Sequence, residues 1–124
     1  MSKKILICGD RNWTNKEIIK RELELFDRDT VIIHGACRGA DSWGGYIAYK
    51  LGFKDIRSYP AKWRDEEGRF RKWAGPERNQ EMLDKNPDIE LVLAFHEDIW
   101  RSKGTKDMIE RAKKANIEVK LRSK

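Results

Sequence analysis

Residues 31–42 read VIIHGACRGADS. Three β-branched residues and a histidine run directly into a turn holding two glycines, an arginine and an aspartate. A short apolar run stopped by glycine predicts a buried strand, here residues 30–34. The helical pattern beginning near Asp41 and ending at Gly52 makes the turn a strand-to-helix junction. The question it poses is whether the glycines serve only the turn or also open a place for an anion.

Working outward, the same unit recurs. Residues 4–8, KILIC, predict a buried strand ending at Gly9. Thr14 and Glu17 have the spacing of a capping box, so a helix is expected from Thr14 to about Phe26, with Ile19, Leu23 and Phe26 on one face. Gly44 and Gly45 lie inside the second helix, where each costs about 1 kcal/mol relative to alanine, so a close neighbour is expected there. Residues 55–59 read as a third strand stopped by Pro60. Pro76 suits the first position of a helix that ends before Pro87. Residues 90–95 form a fourth strand, residues 105–115 a last helix and residues 117–121 a fifth strand.

Strands alternating with helices predict an α/β fold: a single Rossmann-like, doubly wound domain over residues 1–124, its five-stranded parallel sheet covered by helices on both faces. The strand order 3-2-1-4-5 is preferred, with 2-1-3-4-5 left open. In either order the loops after the strands share the carboxyl edge, where open α/β sheets bind ligands.

At 124 residues there is room for one core. The apolar runs are too short for a membrane span, and MSKKILIC lacks the features of a signal peptide, so a cytoplasmic protein without a membrane partner is expected. Two cysteines, Cys8 and Cys37, and two histidines, His34 and His96, match no disulfide or zinc pattern, and neither metal nor cofactor is expected. The net charge of +6 is uneven: residues 1–53 carry +2, 54–78 carry +3, 79–100 carry −5 and 101–124 carry +6. Such asymmetry suits a polyanionic partner and equally a solvated last helix.

The loops of the carboxyl edge supply the candidate site. After the first strand come Gly9, Asp10 and Arg11, the arginine offering a planar fork for phosphate; Trp13 is assigned to the core before a base. After the second come Gly35, Arg38, Gly39 and Asp41, with residues 39–42 expected to present helix-terminal amides to an anion and Asp41 to act as N-cap or, alternatively, to bind a ribose hydroxyl. After the third, residues 60–75 interleave Arg64, Arg69, Arg71 and Lys72 with Trp63, Phe70 and Trp73, a composition suited to bases and phosphates or to a loop pinned to the surface. Arg78 and Asn79 follow. After the fourth, Gly104 and Thr105 open a second glycine-marked helix. The pattern is neither GxGxxG nor a P-loop.

The motifs GDRxW, HGxCxGAD, W…AGPxRNxxM and SKGTxDMxxRA, in that order across residues 5–119, resemble the YspA-like branch of the SLOG superfamily, whose relatives include the LOG phosphoribohydrolases (once called lysine decarboxylase-like) and DprA. The resemblance implies a Rossmann-like domain that binds a nucleotide or nucleotide-derived ligand, such as ADP-ribose, through phosphate-binding loops. In LOG enzymes an arginine and a glutamate serve hydrolysis of an N-glycosidic bond. Arg78 matches that arginine, Asn79 stands at the following lysine, Gly104 and Thr105 match the second motif, and the glutamate position is Met108. Methionine cannot act as general acid or base. Asp107 adjoins it, rotated by roughly 100° on the helix. Arg78, Asp10 and Asp41 are therefore the catalytic candidates, with Glu97 and Asp98 as other sources of a carboxylate.

Three functions are compatible with these residues. The first is a sensor or sequestering protein for a phosphorylated nucleotide. The second is a nucleotide N-glycosidase of the phosphoribohydrolase kind. The third is a DprA-like binder of single-stranded nucleic acid. The resemblance further implies a homodimer, for which the sequence shows no apolar seam.

Overall fold

The computed structural model describes residues 3–123. In chain order the elements are β1 (Lys4–Gly9), α1 (Lys16–Leu23), β2 (Val31–His34), α2 (Ala40–Leu51), β3 (Ile56–Ser58), α3 (Ala74–Lys85), β4 (Leu91–Phe95), a 3-10 turn (Ile99–Arg101), α4 (Gly104–Lys114) and β5 (Glu118–Arg122). The five strands form one parallel sheet in the order β3-β2-β1-β4-β5. This is the Rossmann-like, doubly wound arrangement. The alternative order is excluded because β1 pairs with both β2 and β4: Ile5 lies opposite Ile32 on one side and Leu91 on the other.

The period-2 alternation of β1 sorts its side chains between two cores. Ile5 and Ile7 join Ile19 and Leu23 of α1 and Ala40, Ile47 and Ala48 of α2. Leu6 and Cys8 join Met82 of α3 and Met108, Ile109 and Ala112 of α4. Strands buried on both faces need apolar residues at successive positions, which is why KILIC and LVLAF do not alternate with polar residues. Trp13 is 1% exposed, with its ring tilted on Phe95 at 5.8 Å. It belongs to the first core, as expected. The glycine pair of α2 lets the helix sit close to the sheet. A Cβ on Gly44 would lie 2.9 Å from Ile7, and one on Gly45 would lie 2.6 Å from His34 Nε2.

Several boundaries differ from expectation. The Thr14–Glu17 box does not form; Asn15 is the N-cap of α1 and accepts from the Ile18 amide at 3.3 Å. Burial of Trp13 sets this register, since its indole N–H donates to the Asn15 carbonyl at 2.8 Å. Helix α1 ends at Leu23, and Phe26 follows in a turn. Helix α3 begins two residues before Pro76, whose missing N–H would have no helical partner in the first turn.

At one margin of the sheet β5 is largely exposed. Glu22 of α1, 4% exposed, pairs with both Lys120 (2.8 Å) and Arg122 of that strand. Among the described residues no helix is long and apolar enough to cross a membrane.

Candidate functional site

The loops after β1 and β2 are locked together. The Asp10 carbonyl accepts from the amides of Trp13 (3.1 Å) and Ala40 (3.0 Å), so one oxygen holds its own turn and the start of α2. Gly39, the N-cap of α2, has φ +82°, and a Cβ there would fall on the backbone of Asp10 and Arg11. Only glycine meets both conditions. At Gly9 a Cβ would strike the Phe95 carbonyl oxygen, so the β1 loop is closed against β4 as well. The Asp10 carboxylate accepts from the Asn12 amide at 2.9 Å, shaping the turn.

The β2 loop holds an anion, and the anion is its own. Asp41 is 5% exposed, and its Oδ2 accepts from the Gly35 amide at 3.0 Å. The amides of Cys37 and of Asp41 itself also favour its charged form. Burial outweighs these partners and the nearby Arg78 charge, and pushes the carboxyl up to about 6. Asp41 is thus not the N-cap, and the amides of α2 are not open as expected. Ala40 N–H donates to Asp10, Ser42 to Cys37 and Trp43 to Gly39.

Arg78 braces the same loop from α3. It is 8% exposed. Its Nη1 donates to the carbonyls of Gly35 and Tyr59, its Nη2 meets Cys37 Sγ at 3.6 Å, and its Nε donates to Asn79 Oδ1 at 3.0 Å. A guanidinium engaged in this way is no open fork for a phosphate. Gly35 sits between the two buried charges: a Cβ there would lie 2.5 Å from Arg78 Nη1 and 2.9 Å from Asp41 Oδ2. Burial, and then the Arg78 charge, lower the pKa of His34, whose Nδ1 accepts from the Ala36 amide at 3.0 Å. Burial chiefly raises the Cys8 thiol. Neither group is presented as a nucleophile or base.

The remaining candidates divide between α3, α4 and solvent. Asn79 is buried and donates to Asp107 Oδ2 at 2.9 Å; Asp107 also accepts from Arg111 Nε at 2.8 Å. Thr105 is buried, and Ser102 Oγ caps its amide at 3.0 Å. Met108 is 1% exposed and belongs to the second core. Gly104 is exposed, with nothing within 4 Å of an added Cβ. Arg11 and Arg38 differ from all of these. Both are exposed, and among the described residues neither takes part in a hydrogen bond or ion pair. They project from backbones already in contact at Gly39, so two unengaged guanidinium groups share one short stretch of the edge.

The partners Tyr59, Ser102 and Arg111 were not read from the sequence. The first contributes a backbone carbonyl, which no side-chain pattern signals. Ser102, two residues before Gly104, carried a legible signal as a helix cap. Size of hollow does not mark the site. A groove of about 770 Å³ lies between α3 and α4 towards the amino ends of β4 and β5, lined by Leu83, Pro87, Ile89 and Ile117. A cleft of about 390 Å³ runs along α3 past Pro60, Arg71 and Arg78. The unengaged arginines line neither.

Over 121 residues the chain is 31% identical to the Gene 61 protein of Mycobacterium phage D29, and the match covers 94% of each chain. The chain belongs to the family of that phage protein. No family model and no solved structure matches it.

Proposed function

We propose that the protein binds a phosphorylated nucleotide or nucleotide-derived ligand, ADP-ribose-like or a nucleotide signal, at the carboxyl edge, and senses or sequesters it. The observation that carries this reading is the pair Arg11 and Arg38, unengaged and held side by side by interlocked loops. Two unengaged guanidinium groups on adjoining loops suit a phosphate, to which each can donate two parallel hydrogen bonds. The start of α4 at Gly104 adds the positive end of a helix dipole at the same edge. The resemblance to the SLOG superfamily points the same way.

Binding without turnover is the form this reading takes. Met108 is core, Asp107 is held by Asn79 and Arg111, Asp10 shapes its own turn, and Asp41 is enclosed by the loop.

Thermal unfolding against AMP, ADP-ribose, cyclic ADP-ribose and NAD tests the proposal. A ligand at 100 times its dissociation constant adds about 2.7 kcal/mol, or roughly 10 °C at this size. The shift is expected to disappear in Arg38→Ala and in Arg11→Ala, while both variants alone melt like the parent. No shift with any nucleotide would overturn the proposal, and release of free base would move the protein to the glycosidases.

A further inference from the structure

A different construction lies at the opposite edge of the sheet. Helices α3 and α4 both run from the carboxyl edge to the amino edge, because each follows one parallel strand and precedes the next. Where they end, the groove of about 770 Å³ opens between them. Its floor is the underside of the second core. Ile89 is 6% exposed, and Leu83 is half-buried against the cluster that holds Met82 and Met108. Ile117 is half-buried against the same cluster. Arg111 closes the inner end, donating from Nη1 to Gln80 Oε1 across the two helices at 2.9 Å and from Nε to Asp107 Oδ2 at 2.8 Å.

The groove is negative on a chain that is positive. The chain carries +6, yet residues 79–100 carry −5. Four carboxylates and two cations line the groove. Asp107 and Arg111 satisfy each other, and Asp84 accepts from the Gln80 amide group at 2.9 Å. Among the described residues Asp88 and Glu110 take part in no hydrogen bond or ion pair, and Lys114 is the one cation of the lining in the same state. The helices deepen this field. Both end here, at Lys85 and Lys114, and the carboxyl end of a helix carries about half an elementary negative charge.

We propose that the groove between α3 and α4 is a docking site for a cationic amphipathic segment of another protein. The segment lays aliphatic side chains on Leu83, Ile89 and Ile117 and sets lysine or arginine against Asp84, Asp88 and Glu110. Charge complementarity selects this occupant. A nucleic acid or an acidic peptide would meet three carboxylates and two helix ends of its own sign. A second copy seated symmetrically would set the same carboxylates against one another, since an isologous contact presents one patch to itself. A small polycation would use the acidic rim and leave the apolar floor in water. An amphipathic segment uses both, as helices laid in grooves do. The site is independent of Arg11 and Arg38, which stand at the carboxyl edge.

The test is fluorescence anisotropy with the full chain and three labelled peptides. These are an amphipathic helix of leucine and lysine, its leucine–glutamate counterpart, and a glycine–lysine peptide with the charge of the first. The leucine–lysine peptide is expected to bind and the glutamate peptide not to bind, while the glycine peptide binds about tenfold more weakly than the first. Asp84→Lys and Glu110→Lys, both at exposed helix positions, should each weaken the first peptide about tenfold. Glu66→Lys, an equal change in the connection after β3, should not. Amide resonances of residues 83–89 and 110–117 are expected to move on titration. No binding of the leucine–lysine peptide, an affinity that both reversals leave unchanged, or a glycine peptide bound as tightly as the leucine one would overturn the proposal. So would a concentration-dependent dimer in sedimentation velocity that the two reversals abolish, because the groove would then belong to a second copy. Any melting shift produced by a nucleotide should be the same in Asp84→Lys and Glu110→Lys as in the parent, so the two proposals stand or fall separately.

Discussion

The connections after β2 and after β3 leave the same edge of the sheet and mix glycine with charge, yet they have opposite constructions. At the β2 loop the buried charges turn inward onto the backbone, and Arg38 alone is left outside. Asp41 takes the loop amides, Arg78 takes the loop carbonyls, and Gly35 leaves space for both. In the β3 arm the ion pairs lie on the surface, and the aromatic rings face solvent. A closed loop fixes the places from which Arg11 and Arg38 project. An open arm presents contact surface. Stability should therefore reside in the first far more than in the second.

The sharpest contrast is between two glycines with nearly the same φ. Gly39 has φ +82° and Gly68 φ +81°, but a Cβ on Gly39 meets backbone whereas one on Gly68 meets nothing within 4 Å. Gly39→Ala is expected to lose about 4 kcal/mol through strain and overpacking together, read as a large fall in denaturation midpoint. Arg78→Met should come next, at about 3 kcal/mol, because it leaves the Gly35 and Tyr59 carbonyls unpaired and Asp41 without its nearest cation. Chemical denaturation of both variants checks the order.

Asp41 supplies a prediction with a pH signature. Its folded pKa, about 6, lies above the usual 3.8, so the folded state holds the proton more tightly than the unfolded chain. The resulting stabilisation is complete below the lower value and is lost as pH rises through the higher one. Asp41→Asn removes that loss while keeping an oxygen for the Gly35 amide. The variant should exceed the parent by about 2 kcal/mol above pH 7 and match it near pH 4. Equal pH profiles for the two proteins would show that the carboxyl does not titrate there.

The smallest effect belongs to the arm. Gly68→Ala should cost about 1 kcal/mol, the strain of an alanine at positive φ alone. A loss as large as that of Gly39→Ala would mean that the arm is part of the fold rather than mounted on it.

The alternation of apolar runs and glycine punctuation made the architecture legible, because strands buried on both faces have a composition that nothing else shares. The close approach at Gly44 and Gly45 was legible as well, because two glycines inside a helix are costly unless a neighbour needs the space. What could not be read was the partner of each charge. Arg78 and Gly35 lie 43 residues apart, and their contact depends on how α3 is laid over the sheet. Asp41 looked like a cap because caps are local, but its carboxylate found amides in the preceding loop. Thr14 lost the cap of α1 to Asn15 because the burial of Trp13 outweighs one capping hydrogen bond, a core side chain giving roughly 2 kcal/mol against about 1 for the cap.

Glu22 and Arg122 are joined across 100 residues. Every other strand is made before β5, so α1 can fold onto the sheet early with its acidic side chain still waiting for both basic partners. Until they arrive, the outer side of β4 is a bare row of hydrogen-bonding groups. Parallel pairing over such separations is slow to nucleate, and an unpaired strand edge invites the wrong neighbour. Between the docking of β4 and that of β5 the folding chain is therefore open to aggregation at that edge.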